Sequence, residues 1–332
     1  MKFHPSLLFS LTSYLITTGI RKKKRAPIVL MLEPLHLCNL ACRGCGRIRE
    51  YKETIREQLS LADCITAIDE AQAPVVTITG GEPLLFPYLP VLIDEAIKRR
   101  KHIYLCTNGI LLSDFVEKAS PSPYLNINVS LDGLEETHDR LRNARGVFAK
   151  AVEGIKEAKK NGFRVVINTT VYYDTDNGEL LSLFELLKTV GVDGILVAPG
   201  FSYYQSDREI FLTRNQVREK FRSFDGALSR FPIMSTPLYL DFLRGEREFC
   251  CTPWGNPTRN VRGWKSPCYL ITDRHYATFQ EMIDKTPWDN YGPGKDPRCE
   301  NCMMHCGFEP TIAFETGKRL GDVVRMVKWN LS

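Results

Sequence analysis

A chain of 332 residues can bury a large core, and 43% hydrophobic with 25% charged residues is the composition of a folded protein, which argues against disorder. Its net charge of +5 equals that of one run, Arg21-Lys22-Lys23-Lys24-Arg25, so the basic excess is local and no nucleic-acid partner is expected. Eleven cysteines would suit a disulfide framework in a secreted chain, but nine of them fall in clusters with metal-ligand spacing and no signal-peptide pattern precedes them, which points to the reducing cytoplasm.

The first element is an apolar stretch from Leu7 to Ile20, followed by the basic run. It is shorter than the roughly 20 apolar residues of a spanning helix, and its charges follow the apolar part, the reverse of a signal peptide. Residues 1–27 are therefore expected to be an amphipathic, basic segment lying peripherally on the inner face of a membrane, with Lys and Arg on anionic headgroups. The alternative is a helix packed on the domain with its basic end in solvent. From residue 28 the chain alternates strands, expected over 28–35, 75–79, 102–107, 124–131, 164–171 and 194–199, with helices over 60–71, 91–99, 147–160 and 180–190. Six βα units in order imply parallel strands. Six are too few for an eight-unit barrel, so residues 28–225 are expected to form an α/β core, an open partial (β/α)6 TIM-like barrel. Beyond residue 204 the rhythm is lost, and residues 226–320 are assigned to a Cys-rich C-terminal domain.

The most informative motif follows the first strand: Cys38, Cys42 and Cys45, spaced C-x3-C-x2-C. Three thiolates on one loop can hold three irons of a [4Fe–4S] cluster and leave the fourth iron open to a chelating ligand. Structural zinc would need a fourth protein ligand, and the next Cys is Cys64. A second group, Cys250-Cys251, Cys268 and Cys299-x2-Cys302-x3-Cys306, supplies enough thiolates for a closed site. A second Fe–S cluster or a zinc at Cys268, Cys299, Cys302 and Cys306 both fit, with Cys250 or Cys251 as other candidates for the fourth ligand.

The Cys loop, with Gly80-Gly81-Glu82-Pro83 at the end of the second strand, resembles the radical S-adenosylmethionine (SAM) superfamily. The resemblance implies that the open iron binds the amino and carboxylate groups of SAM and that an external electron donor, such as flavodoxin or ferredoxin, drives its cleavage to a 5′-deoxyadenosyl radical. One departure is Gly44, where that superfamily has an aromatic residue before the third Cys. Gly80, Gly81 and Glu82 then offer close backbone and a carboxylate to the SAM ammonium. Ser130 and Asp132, after the fourth strand, offer a hydroxyl and a carboxylate to its methionine part or ribose, although Asp132-Gly133 is also ordinary turn chemistry. Cys106, near the end of the third strand and outside every ligand cluster, shares a face with Tyr104. If that face lines the barrel, its weak S–H bond can quench a carbon radical; otherwise it is a buried core thiol.

A closer resemblance covers about residues 5–312. Cys251-Thr-Pro-Trp-Gly, Pro267-Cys268-Tyr269, Met31-Leu32-Glu33-Pro34, Tyr104-Leu105-Cys106-Thr107-Asn108 and Cys306-Gly307 are similar to the adenosylhopane synthases of hopanoid biosynthesis, the HpnH family, with Thr79 in place of an expected Pro. This implies addition of the adenosyl radical to the terminal alkene of hopene, a membrane triterpene, followed by quenching of a tertiary carbon radical. An apolar pocket is then expected, with Phe201, Tyr203, Tyr204, Tyr239 and Phe242 as aromatic candidates. Two rivals remain: a radical SAM maturase acting on a peptide with an auxiliary cluster, and a non-catalytic Fe–S or zinc protein.

Overall fold

The computed structural model describes residues 2–21, 25–202, 208–224 and 226–332. Six parallel strands follow one another across the sheet in chain order: β1 (Val29–Leu32), β2 (Val75–Ile78), β3 (His102–Thr107), β4 (Leu125–Ser130), β5 (Arg164–Val171) and β6 (Gly194–Pro199). A helix separates each successive pair, the crossover that parallel pairing requires. Ser60 caps the helix Leu61–Ala71 through reciprocal bonds with Asp63, and Gly191, with φ at 80°, ends the helix Asn177–Val190. Along β3, Ile103 and Leu105 enter the core shared with the helices, while Tyr104 and Cys106 face the lumen.

The first strand is shorter than its apolar run suggests. After Leu32 the chain turns out of the ladder, and Leu35 only bridges Gln58. The sheet also continues beyond β1 into β7 (Thr258–Asn260), β8 (Gly263–Pro267) and β9 (Thr272–Tyr276), with Met31 opposite Thr258 in a parallel pair and the last three strands antiparallel. The sheet thus runs across the expected division at residue 226. On its other edge, Met234 packs where a side chain at Gly194 would sit, a Cβ there falling 2.0 Å from Met234 Sδ. The helix His305–Thr316 lines the lumen beside this edge, and its Glu309 accepts hydrogen bonds from the Thr236 amide and hydroxyl, both at 2.9 Å.

The N-terminal helix, Pro5–Ile20, packs across the N-terminal ends of the strands. Ser10 Oγ lies 3.4 Å from Nε2 of His102, the first residue of β3, and the Arg164 guanidinium at the start of β5 donates to the Lys2 carbonyl. The C-terminal helix, Leu320–Leu331, joins it there: Lys2 and Phe3 amides donate to the Asn330 carbonyl and side chain at 3.0 and 2.7 Å. Lys22, Lys23 and Lys24 lie outside the described residues. Among the described residues, no helix is long and apolar enough to cross a membrane.

A buried charge network ties the Cys loop to the C-terminal strands. Glu33, at the loop's start, pairs with Arg47, at its end, at 2.9 Å. Arg47 also donates to Tyr51 Oη (3.1 Å) and the Tyr269 carbonyl (2.8 Å), and it lies 3.9 Å from the centre of the Tyr269 ring. Lys265 of β8, fully buried, reaches Glu50 (3.1 Å), Tyr51 Oη (3.2 Å) and the same Tyr269 carbonyl (2.9 Å). Burial pulls the Lys265 ammonium down to about 8. Removing one partner of a buried pair strands the other. Glu33→Ala is therefore expected to cost about 3–5 kcal/mol in denaturant unfolding; a cost under about 1 kcal/mol, the level of a surface pair, would show that the network does not hold the loop.

Candidate functional site

The Cys loop is positioned by what packs beneath it. A Cβ on Gly80 (φ 117°) would fall 2.4 Å from the Leu35 carbonyl oxygen, and one on Gly81 would fall 1.9 Å from that of Leu37. The amides of Gly81 and Glu82 donate to those same carbonyls at 3.0 and 2.8 Å. The two glycines are thus needed first for the close approach of the chain entering the loop. Glu82 is buried, and its carboxylate accepts from Thr107 Oγ1 (2.8 Å), the Asn108 amide (2.9 Å) and the Leu84 amide (3.1 Å), which locks the β2 end to the β3 end. Burial raises its pKa against those bonds.

Cys38, Cys42 and Cys45 are each partly exposed and line one cavity. Cys38 Sγ accepts from the Leu40 amide at 3.4 Å, and Cys42 Sγ accepts from Arg142 Nη1 at 3.8 Å. Burial pushes the Cys38 thiol up to about 12 and raises Cys42. Thiols in such surroundings ionise when a metal takes the charge. Among the described residues, no three His, Cys, Asp or Glu side chains converge as they would on a single ion. Three thiols that share a loop and a cavity offer the three protein ligands of a [4Fe–4S] cluster with one open iron.

The cavity has a volume of about 740 Å³ and follows the lumen from this loop to the N-terminal helix. Gly80, Gly81, Glu82, Cys106 and Ser130 line it, together with Asn128 and Asn168. The side-chain oxygens of Asn128 and Asn168 are buried there without a hydrogen-bond partner, so two acceptors await a ligand's donors. Asn128 Nδ2 lies 3.5 Å from Cys106 Sγ, and burial pushes the Cys106 thiol up to about 12, which keeps it protonated at neutral pH.

Asp132 departs from expectation. It does not line the cavity, because Arg142 (2.7 Å) and the Thr170 amide (2.8 Å) take its two oxygens. It reaches the site only by holding Arg142 against Cys42. Gly44 leaves room that Tyr172 and Ile210 fill, a Cβ there falling 3.2 Å from each. Of the aromatic candidates, Phe201 lines the cavity, Tyr239 and Phe242 are fully buried in the core, and Tyr203 and Tyr204 lie outside the described residues.

The second group of thiols also gathers. Cys251, Cys268, Cys299 and Cys302 line a small separate cavity, Cys306 packs on the same apolar cluster, and Cys250 is exposed. Of the three residues left open by spacing, Cys251 and Cys268 share this cavity and Cys250 does not. Burial holds Cys302 at about 12 and Cys299 at about 11.

His305 and Glu309 escaped the sequence reading as lumen residues. They sit four apart on one helix, the spacing that places two side chains on one face. His305 Nδ1 is buried without a partner, and burial pushes the Glu309 carboxyl up to about 7. A carboxyl with a raised folded pKa binds more protons in the folded state, so it costs stability as pH rises from its unfolded value through its folded one. Glu309→Gln should lose less stability than the wild type between about pH 5 and about pH 8 in parallel denaturant titrations; equal losses would contradict the burial argument.

Comparison with known proteins agrees with this geometry. Residues 32–187 match the model of the radical SAM superfamily, and residues 195–326 match a domain of unknown function, DUF3463. The chain is 32% identical over 175 residues to GTP 3′,8-cyclase 1 of Mycobacterium tuberculosis, covering 49% of each protein. It is 32% identical over 171 residues to the AdoMet-dependent heme synthase of Methanosarcina barkeri, covering 50% of this chain and 48% of that one. The chain thus spans about half the length of these curated relatives. The Streptococcus suis SuiB structure bound to the precursor peptide SuiA shares the fold at a TM-score of 0.65 and 14% identity, covering 93% of this chain and 77% of that one. With a parallel partial barrel and three clustered thiols at its strand ends, residues 32–187 of this chain are a radical SAM domain, a type that works with a [4Fe–4S] cluster and SAM.

Proposed function

We propose that this protein adds the 5′-deoxyadenosyl group of SAM to the terminal alkene of an apolar, bilayer-resident substrate of the hopene type, giving adenosylhopane. The observation that carries this reading is the lumen itself. One continuous cavity begins among polar groups at Cys38, Cys42 and Cys45 and ends among Leu7, Leu11 and Leu15 of the N-terminal helix. An apolar body lying at that end would place its reactive tip near the polar one.

In this reading Cys38, Cys42 and Cys45 hold the cluster, which with SAM supplies the adenosyl radical. Gly80, Gly81 and Glu82 border the SAM amino group. Ser130 and the unpartnered oxygens of Asn128 and Asn168 receive donors from its ribose or methionine part. Tyr172, whose hydroxyl end fills the space beside Gly44, brings an aromatic ring to the cavity where the loop itself has none. The apolar walls exclude water from the reacting carbon. Cys106 donates the hydrogen atom that saturates the tertiary carbon: its S–H bond breaks, a C–H bond forms, and one electron from a flavodoxin or ferredoxin with one proton restores the thiol. Cys251, Cys268, Cys299, Cys302 and Cys306 form the candidate site of a second cluster.

A nucleoside triphosphate, as in the relatives named GTP 3′,8-cyclase, fits the lumen poorly. The arginines at its polar end, Arg47 and Arg142, are already paired with Glu33 and Asp132. Peptide modification is the second reading, favoured by the polar pair His305 and Glu309 on the lumen wall.

Anaerobically reconstituted, reduced protein given SAM and hopene should yield an adenosylated hydrocarbon by mass spectrometry, with one methionine released per product. Release of 5′-deoxyadenosine alone, whatever alkene is supplied, would rule the addition out. Cys106→Ala should still consume SAM and alkene but accumulate little saturated product; wild-type yield from that variant would remove Cys106 from the mechanism.

A further inference from the structure

The N-terminal and C-terminal helices are apolar on two faces. Leu7, Leu8, Leu11 and Leu15 of the first, with Val323 and Met326 of the second, face the lumen cavity. Large apolar residues also stand on their outer sides: Phe9, Ile16 and Ile20 on the first are 77%, 58% and 76% exposed, and Leu320 and Val324 on the second are 80% and 45% exposed. Polar side chains interrupt both helices, yet these large apolar ones are left in water. Among the described residues they supply most of the large exposed hydrophobic ones, and their ends meet, with the Phe3 ring edge-on to Trp329 at 5.4 Å. The two segments thus meet at Phe3 and Trp329, and both helices carry exposed apolar residues beside the N-terminal mouth of the barrel.

Charge decides what covers the patch. Of the net +5, residues 1–27 carry +6, with no Asp or Glu, and residues 317–332 carry +3, so the chain between them is net negative. Asp322, the one acidic residue in the second segment, is held by Arg247 through two bonds of 2.9 Å, while Arg325 is paired with Asp241 and Lys318 with Glu315, so the basic surplus lies mainly in residues 1–27. A second copy docking by the same patch would set positive against positive. An anionic bilayer would satisfy both the exposed apolar residues and the basic sequence that follows the first helix.

We propose that the outer faces of these two helices form one lipid-docking surface, so that the N-terminal mouth of the lumen, opposite the Cys loop, opens toward the membrane. This extends the apolar-substrate reading, but its test needs no substrate.

The full-length protein is centrifuged with phosphatidylglycerol vesicles and with neutral phosphatidylcholine vesicles. The wild type should sediment with the first and far less with the second. Ile16→Glu and Val324→Glu, both at exposed positions off the cavity, should each lower vesicle binding about tenfold or more while thermal unfolding stays near wild type. Acyl chains carrying bromine should quench the fluorescence that Trp329→Phe removes. Absence of wild-type sedimentation, or equal sedimentation by the variants, would overturn the proposal. So would a wild-type dimer in light scattering that either variant turns into monomer, because the patch would then be covered by a second copy. A hopene assay that failed while vesicle binding held would count against the substrate alone.

Discussion

The loop that carries Cys38, Cys42 and Cys45 begins and ends at one buried ion pair. Glu33 leaves β1 and Arg47 opens the short helix beyond Cys45, and their 2.9 Å contact closes the loop at its base. A flexible loop would have to be ordered each time its thiols met a metal, and closing its ends in advance removes much of that cost. Arg47 is held in turn by Tyr51 and the Tyr269 carbonyl, and Lys265 completes the circle to Glu50. Desolvating four charged groups is unfavourable unless each is paired and hydrogen-bonded, and here each is. The C-terminal strands are therefore structural to the Cys loop. Without β8 and Tyr269 the loop's base would keep a buried guanidinium with fewer partners.

The same strand ends divide the lumen into two regions. Glu82, Thr107 and Asn108 join the ends of β2 and β3, and Asp132, Arg142 and Cys42 join the end of β4 to the Cys loop. Polar side chains thus collect at one mouth, with unpartnered acceptors on Asn128 and Asn168. At the other mouth the walls come from two helices whose lumen faces are mainly leucine, valine and methionine, with Thr12, Trp329 and Asn330 among them. Cys106 stands between the regions, its thiol kept protonated by burial. The proposed reaction would use this gradient to seat a polar cofactor at one end and an apolar body at the other, with Cys106 between them.

Much of this was legible in the chain itself, for identifiable reasons. The strands at residues 102–107, 164–171 and 194–199 are β-branched or apolar runs with clear turn residues after them, and they lie where they were expected. The three thiols and Gly80-Gly81 are local motifs whose spacing carries their chemistry. By contrast, β7 reads Thr-Arg-Asn and β8 contains Lys265, so neither shows an apolar period; their burial depends on partners such as Glu33, Tyr51 and Glu50, distant in sequence. Asp132 looked like a ligand because it follows a strand, but the nearby Arg142 claims it. Glu309 and the C-terminal helix gave no signal, since their meaning arises only where they meet the lumen.

The account rests on an iron left open by three thiols. Mössbauer spectra of anaerobically reconstituted protein enriched in the resonant iron isotope, taken with and without SAM, test that most directly. One iron of the cluster bound by Cys38, Cys42 and Cys45 should change its environment when SAM is added, and Cys42→Ala should abolish the change. Spectra that SAM leaves untouched would mean that no open iron exists, and the proposed chemistry would fall.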